Sequence, residues 1–154
     1  MSVLIILGSK SDLEVGKKAK DILDEFGVTS KMVVASAHRT SQHLIETVEK
    51  SEADVFIAIA GLSAALPGAV AAHTTKPVIG VPVSGKVNLD SILSIVQMPP
   101  GVPVAAVGLD RGENAALLAV QILAISDKGL AKDLKKHRRK LQEWTLEDSR
   151  SLGD

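Results

Sequence analysis

The sequence of 154 residues contains no cysteine and no tyrosine, and aromatic residues make up only 2% of it. The lack of cysteine excludes disulfides, thiolate metal sites and thiol catalysis. So few aromatic rings argue against a protein that binds nucleic acid by stacking bases. The 18 basic and 18 acidic residues cancel, so no overall field attracts nucleic acid or an anionic membrane. The chemistry must therefore come from hydroxyl, imidazole, guanidinium, carboxylate and backbone groups.

Targeting and cofactor signals are missing too. The N-terminal segment 1–7 has no basic flank and reaches Gly8-Ser9 too early for a signal peptide. No apolar run approaches the roughly 20 residues of a membrane-spanning helix. Neither the Gly-x-Gly-x-x-Gly fingerprint nor the Gly-Lys-Ser of a Walker loop is present, and no acidic or thiol groups stand at metal-ligand spacing. We expect a cytoplasmic globular protein that holds no metal and binds neither nucleic acid nor membranes.

Strand-like and helix-like segments alternate along the chain. Continuous aliphatic runs, typical of strands buried on both faces, predict strands at 3–7, 31–35, 54–60, 77–83 and 102–109. Apolar residues at helical spacing predict helices at 12–26, 41–51, 64–73 and 114–126. This alternation indicates a parallel sheet covered by helices on both sides, the doubly wound α/β class. Residues 1–154 are predicted to form a single domain, in which residues 130–154 are a basic, solvated helical tail.

The segment Ser36-Ala37-His38-Arg39-Thr40 carries the most chemistry. It follows the predicted strand 31–35, and ligands bind at the carboxyl edge of an open parallel sheet. The imidazole of His38 can move protons near neutral pH, and the guanidinium of Arg39 can hold a phosphate by two hydrogen bonds. The alternative is an ordinary loop histidine beside a surface arginine. The position favours proton transfer on a phosphorylated small molecule.

Two more loops are predicted at the same edge of the sheet. Gly8-Ser9-Lys10-Ser11-Asp12 follows the first strand, where small residues admit a ligand and the amides of a helix start attract anions. Ser11 or Asp12 can instead simply cap the first helix. Residues 60–68 follow the third strand, and there Gly61 would let a ring lie against bare backbone while Ser63 offers a hydroxyl. The alternative for this loop is close packing of a helix on the sheet.

Taken together, these segments resemble the PurE family of purine biosynthesis over residues 3–126. The matching segments are 8–12, 36–40, 65–68, 77–83, 90–99 and 114–119. The resemblance implies a three-layer αβα, flavodoxin-like fold and an enzyme that makes 4-carboxy-5-aminoimidazole ribonucleotide (CAIR). It also implies a homo-oligomer, typically an octamer whose active sites are shared between neighbouring subunits. The reaction of this family needs no metal, biotin or ATP.

The resemblance also assigns roles to individual residues. His38 is implied as the catalytic proton shuttle, Ser9 and Asp12 as ligands of the ribose and phosphate part, and Arg39 as a phosphate contact. The same loops supply the other candidates for substrate binding, Gly8, Ser11, Ser36, Gly61 and Ser63. When a carboxyl group is added at C4 of the aminoimidazole, a neutral base must remove the hydrogen from that carbon, and His38 is the candidate.

Members of the family reach CAIR by two routes. Carboxylases, which are lyases, add CO2 to 5-aminoimidazole ribonucleotide (AIR), whereas mutases, which are isomerases, move the carboxyl group of N5-carboxyaminoimidazole ribonucleotide (N5-CAIR) from N5 to C4. Mutases usually carry a histidine where this chain has Ala65, and carboxylases an alanine with a serine two positions upstream, as Ser63-Ala64-Ala65 shows. We therefore expect direct carboxylation of AIR, with His38 as general acid and base. The alternative is the mutase, and a remote one is a non-catalytic flavodoxin-like nucleotide-binding module.

Overall fold

The computed structural model describes residues 1–153, in which a five-stranded parallel sheet lies between two layers of helices. The strands are β1 (Ser2–Leu7), β2 (Thr29–Val34), β3 (Val55–Ala60), β4 (Val78–Pro82) and β5 (Ala105–Ala106). Their order across the sheet is β2-β1-β3-β4-β5, with every neighbouring pair parallel. This is the flavodoxin-like order of doubly wound proteins. The predicted fold class is confirmed.

Within residues 1–153, six α-helices and one short 3-10 turn, Lys10–Asp12, connect and cover the strands. The helices are α1 (Leu13–Glu25), α2 (Ser41–Glu49), α3 (Leu66–Ala71), α4 (Asn88–Val96), α5 (Gly112–Leu123) and α6 (Lys128–Ser151). The sequence did not predict α4. The predicted helix 64–73 is shorter in the structure, because Pro67 lies in its first turn, where proline is tolerated only at the start of a helix.

Successive side chains along each strand point to opposite faces of the sheet, which divides the core into two layers. Val3, Ile5 and Leu7 of β1 point toward α1 and α5, whereas Leu4 and Ile6 point toward the layer of α2, α3 and α4. All six residues of β3 are buried, as expected for a central strand of a parallel sheet. The helices therefore clamp the sheet from both sides and fix the positions of the loops at its edges.

The two edge strands differ from their predicted bounds. The predicted strand 102–109 is reduced to two residues, which pair with Ile79 and Gly80 of β4. Pro103 and Gly108, which disfavour a continuous ladder, flank this short strand. At the other edge β2 begins at Thr29 and alternates between exposed and half-buried residues, because an edge strand has a neighbour on one side only.

Helix α6 has an inner and an outer part. Its N-cap is Asp127, whose carboxylate accepts hydrogen bonds from the amides of Gly129 and Leu130 at 2.7 and 3.0 Å. Leu130 is buried in the core, whereas residues 141–151 are all exposed. The predicted tail thus begins at Lys128 and is helical to Ser151; residue 154 lies outside the described residues. Between residues 1 and 153, no helix is both long enough and apolar enough to cross a membrane.

Candidate active site

Three loops that follow β1, β2 and β3 line a cleft of about 330 Å³ at the carboxyl edge of the sheet. The order of the strands reverses between β1 and β3, and in open α/β sheets ligands bind at such a switch point. The structure brings all nine predicted site residues into the lining of this cleft, namely Gly8, Ser9, Ser11, Asp12, Ser36, His38, Arg39, Gly61 and Ser63. Residues far apart in the sequence therefore share one cavity.

The loop after β1 is held by the carboxylate of Asp12. This side chain is only 5% exposed and accepts hydrogen bonds from the Ser9 amide at 2.9 Å and the Ser11 hydroxyl at 3.2 Å. The Ser9 hydroxyl in turn accepts from the Ser11 amide at 3.3 Å. Ser9 and Asp12 also form a capping box at the 3-10 turn, in which the side chain of each accepts from the backbone of the other. The capping role therefore belongs to Ser9 and Asp12 together. It also fixes two hydroxyl groups at the wall of the cleft.

The loop after β2 is a closed turn that carries His38. The Thr40 amide donates to the Ser36 carbonyl at 3.1 Å, and the Ser36 amide donates to the Thr40 hydroxyl at 2.9 Å. The Arg39 amide donates to the Ser36 hydroxyl at 3.2 Å. These bonds occupy the backbone of the turn, while the imidazole of His38 is exposed and lines the cleft. A histidine in this position can exchange protons with a molecule bound there.

Arg39 joins the first two loops. Its Nη2 donates to the Gly8 carbonyl at 3.0 Å, and its Nε donates to the Ser36 hydroxyl at 3.3 Å. These two bonds use only part of the donor set of a guanidinium. The group is therefore oriented before any ligand binds, and it brings a fixed positive charge to the cleft, where it can bind an anionic group such as a phosphate.

The loop after β3 lines the cleft without any charged side chain. A Cβ atom added to Gly61 would meet only Val83, at 3.8 Å. Packing within the chain therefore does not require glycine at this position, in contrast to Gly80, where a Cβ would lie 2.5 Å from Ile95. The explanation by helix–sheet packing fits Gly80 but not Gly61. Bare backbone at Gly61 is consistent with the close approach of a flat ligand.

Some features of the cleft were missed by the sequence analysis. Its lining also includes Ala37, Ala60, Leu62 and Leu66, whereas Ala65 is not part of it. The other three histidines lie elsewhere, with His43 exposed on α2, His73 3.5 Å from a carboxylate oxygen of Glu49, and His137 beside the ring of Phe26. His38 is thus the one histidine that lines the cleft. Over residues 1–153, no three histidine, aspartate or glutamate side chains are grouped so that they could hold a metal ion.

Comparison with known proteins identifies the family. The family model described as AIR carboxylase matches residues 2–144. The chain belongs to this family. The resemblance to PurE proteins is therefore confirmed over almost the whole chain.

Individual relatives align with this chain over nearly the full length of both proteins. A protein named N5-carboxyaminoimidazole ribonucleotide mutase from Methanocaldococcus jannaschii is 59% identical over 142 residues, which cover 92% of this chain and 90% of the relative. A protein of the same name from Bacillus subtilis is 49% identical over 155 residues, with 96% of each chain covered. The crystal structure of Treponema denticola PurE matches with a TM-score of 0.89 at 30% identity, covering 99% of this chain and 98% of that one.

Proposed function

We propose that this chain is an N5-CAIR mutase of purine biosynthesis, which moves the carboxyl group of N5-CAIR from N5 to C4. The observation that carries the proposal is the similarity to mutases over at least nine-tenths of the chain. It favours the alternative over the expected direct carboxylation of AIR. That expectation rested on Ser63-Ala64-Ala65, and Ala65 does not line the cleft. The same similarity to enzymes argues against a non-catalytic nucleotide-binding module.

The nucleotide is proposed to bind with its phosphate and ribose toward the loops after β1 and β2. Arg39 supplies the positive charge there, and the hydroxyls of Ser9, Ser11 and Ser36 supply neutral hydrogen-bonding groups. Asp12 acts by holding Ser9 and Ser11 in place and by accepting bonds from ribose hydroxyls. The aminoimidazole ring then lies toward the uncharged loop at Gly61 and Ser63, within reach of His38.

His38 is proposed to carry one proton between two atoms of the substrate. As the N5–carboxyl bond of N5-CAIR breaks and releases CO2, protonated His38 donates its proton to the exocyclic nitrogen, which gives AIR in the cleft. C4 of AIR then attacks the carbon of CO2, and neutral His38 removes the hydrogen from C4 to restore the aromatic ring. The imidazole ends the cycle as it began, so no proton is gained or lost overall. Because one cleft holds both AIR and CO2, their reaction is effectively unimolecular and does not depend on diffusion.

We further propose that residues 1–154 form one catalytic domain of a cytoplasmic homo-oligomer, typically an octamer in this family. The cleft of a single subunit is open, and apolar side chains beside it and elsewhere remain uncovered within the chain. Leu62 on the rim is 73% exposed, Leu89 on α4 is 64% exposed and Trp144 on α6 is 58% exposed. In a homo-oligomer, contacts between subunits would bury side chains of this kind. A neighbouring subunit would also help to exclude water from the released CO2.

Supplying the substrates of the two routes separately tests the function. The purified chain is supplied either with N5-CAIR in the presence of 13C-labelled bicarbonate or with AIR and the same bicarbonate. We expect rapid conversion of N5-CAIR to CAIR with little label in the product, because the carboxyl group comes from the substrate itself. Heat-denatured protein corrects for spontaneous breakdown of N5-CAIR. Efficient carboxylation of AIR, with label in the product and little use of N5-CAIR, would instead establish the direct carboxylase.

Arg39→Ala should weaken binding of the nucleotide. Loss of a hydrogen bond to a charged group costs about 1.5–3 kcal/mol, which corresponds to a rise in Kd for CAIR of roughly tenfold to a hundredfold or slightly more. Isothermal titration calorimetry measures this change directly. Arg39→Lys keeps the positive charge but loses the fork of hydrogen-bond donors. Its Kd for CAIR should therefore lie between the values of the wild type and of Arg39→Ala. Arg139→Ala, on an exposed part of α6 outside the cleft, is the matched control; an unchanged Kd for Arg39→Ala would contradict the assigned phosphate contact.

A further inference from the structure

A side-chain hydrogen bond ties the loop of residues 61–65 to α4. The backbone amide of Ser63 donates a hydrogen bond of 2.8 Å to Oδ2 of Asp90, 27 positions further along the chain. Asp90 does not line the cleft. We propose that Asp90 is a positioning residue, whose carboxylate holds residues 61–65 in the shape that the reacting end of the nucleotide requires. This inference rests on the function proposed above.

The backbone of Ser63 needs such a support. Its φ angle is +52°, in the left-handed region that residues other than glycine rarely adopt. Residues held in this conformation persist only where surrounding contacts fix them, and they occur often in ligand-binding loops. One such contact is the Ala65 amide, which donates to the Ser63 carbonyl. The other is Asp90, whose negative charge makes the bond to the Ser63 amide stronger than a bond between neutral groups.

Asp90 is itself held firmly. It is the third residue of α4, a position from which an acidic side chain often bonds back to the start of its own helix. Here the start of α4, at Val87, has no side-chain cap, and the carboxylate bonds to the loop instead. The helix is anchored on the sheet by Ser91 and Ile95, which are 1% and 0% exposed. Asp90 therefore links the middle of the loop to the sheet through α4, in addition to the direct connections of the loop to β3 and α3.

The chemistry of the cleft indicates which kinetic constant Asp90 controls. The charged and most of the hydroxyl groups come from the loops after β1 and β2, which suit the phosphate and ribose. The loop at Gly61 and Ser63 brings no charge, so it suits the aminoimidazole ring and the CO2 released from it. If this loop moves, the nucleotide is still captured by its phosphate, but C4, CO2 and His38 no longer align. The effect should therefore fall on kcat rather than on KM.

Two substitutions of Asp90 separate positioning from mere stability. Asp90→Ala removes the acceptor of the Ser63 amide. We expect kcat for N5-CAIR to fall about tenfold to a hundredfold, the loss of rate that follows when reacting groups are held slightly out of position. KM should stay within about threefold of the wild-type value, the pattern of an interaction that matters only in the transition state. Asp90→Asn keeps an acceptor oxygen for the Ser63 amide and should recover most of kcat. Asp54→Ala is the control, because Asp54 accepts a similar bond of 2.7 Å from the Ser2 amide at the opposite edge of the sheet.

Amide hydrogen exchange without substrate gives a second, independent measurement. Asp90→Ala should speed exchange at residues 61–65, whereas Asp90→Asn and Asp54→Ala should leave it near the wild-type rate. Should Asp90→Ala fail to fold, Asp90→Ser serves in its place, since serine is accepted in the first turn of a helix but is too short to reach Ser63. If the wild-type chain does not use N5-CAIR, the proposed function fails while exchange still tests Asp90. Unchanged exchange in the Ala variant, or a kcat equally low in both variants, would overturn the positioning role.

Discussion

Replacing His38 by asparagine is expected to abolish proton transfer at C4 while nucleotide binding stays within about tenfold of the wild-type value. Asparagine is close to histidine in size and can form hydrogen bonds, but it cannot take up and release a proton near neutral pH. General acid–base catalysis contributes about a hundredfold to ten-thousandfold, and kcat for N5-CAIR should fall by that amount. No other histidine lines the cleft to replace it.

Exchange at C4 isolates this step from the rest of the reaction. AIR is incubated with the enzyme in D2O, and loss of the C4 proton is followed by NMR. The wild-type chain should speed the exchange, and His38→Asn should not. His43→Asn is the matched control, because His43 is exposed on α2 and outside the cleft. Near-normal exchange in the His38 variant would mean that a different group, such as Asp12, moves the proton.

The grouping of the candidate residues in one cleft was the part of the structure most predictable from sequence. Each loop follows a strongly aliphatic strand, and in a parallel sheet the carboxyl ends of strands lie at one edge. That rule alone brings Ser9, His38 and Gly61 together, although Ser9 and Gly61 are 52 positions apart in the sequence. The bonds between these loops could not be predicted in the same way. The contact of Arg39 with the Gly8 carbonyl depends on a register and a rotamer that no local pattern specifies.

The region from residue 84 to 109 was the least predictable. Helix α4 has apolar residues on two faces, since Ile95 packs on the sheet while Leu89 and Val96 are exposed. Such a segment lacks the single apolar stripe by which a surface helix is recognised. The strand after it keeps only two residues at the edge of the sheet. Because the sequence pattern does not predict α4, it does not place Asp90 beside the loop after β3, although Asp90 lies in a segment that matches the family.

The largest loss of stability is expected from Gly112→Ala. Gly112 begins α5, and a Cβ atom there would lie 2.1 Å from the carbonyl oxygen of Val15 in α1. The contacted atom belongs to the backbone, so it cannot rotate away as a side chain could. Little room is left for α1 to retreat toward the sheet, because Gly16 packs so closely there that an added Cβ would lie 2.8 Å from the Leu7 side chain.

Helix α5 must therefore move away from α1, which opens the contact between them. This contact is built from fully buried alanines, Ala19 on α1 with Ala115 and Ala119 on α5, whose small side chains allow the two backbones to approach. Overpacking costs typically about 1–3 kcal/mol of the free energy of unfolding, and the contact with a backbone atom places this variant at the upper end, at about 2–3 kcal/mol. For a chain of this length, such a loss lowers Tm by roughly 4–12 °C.

Thermal and urea unfolding of Gly112→Ala and Gly85→Ala measure this difference. Gly85 is the matched control, because a Cβ there would meet nothing within 4 Å, and its free energy of unfolding should stay within about 0.5 kcal/mol of wild type. The same comparison tests the proximity of α1 and α5, which positions the loop after β1, since α1 follows that loop directly. If both alanine variants unfold at the wild-type temperature, the two helices lie further apart than described, and the loop carrying Ser9 and Asp12 lacks its support.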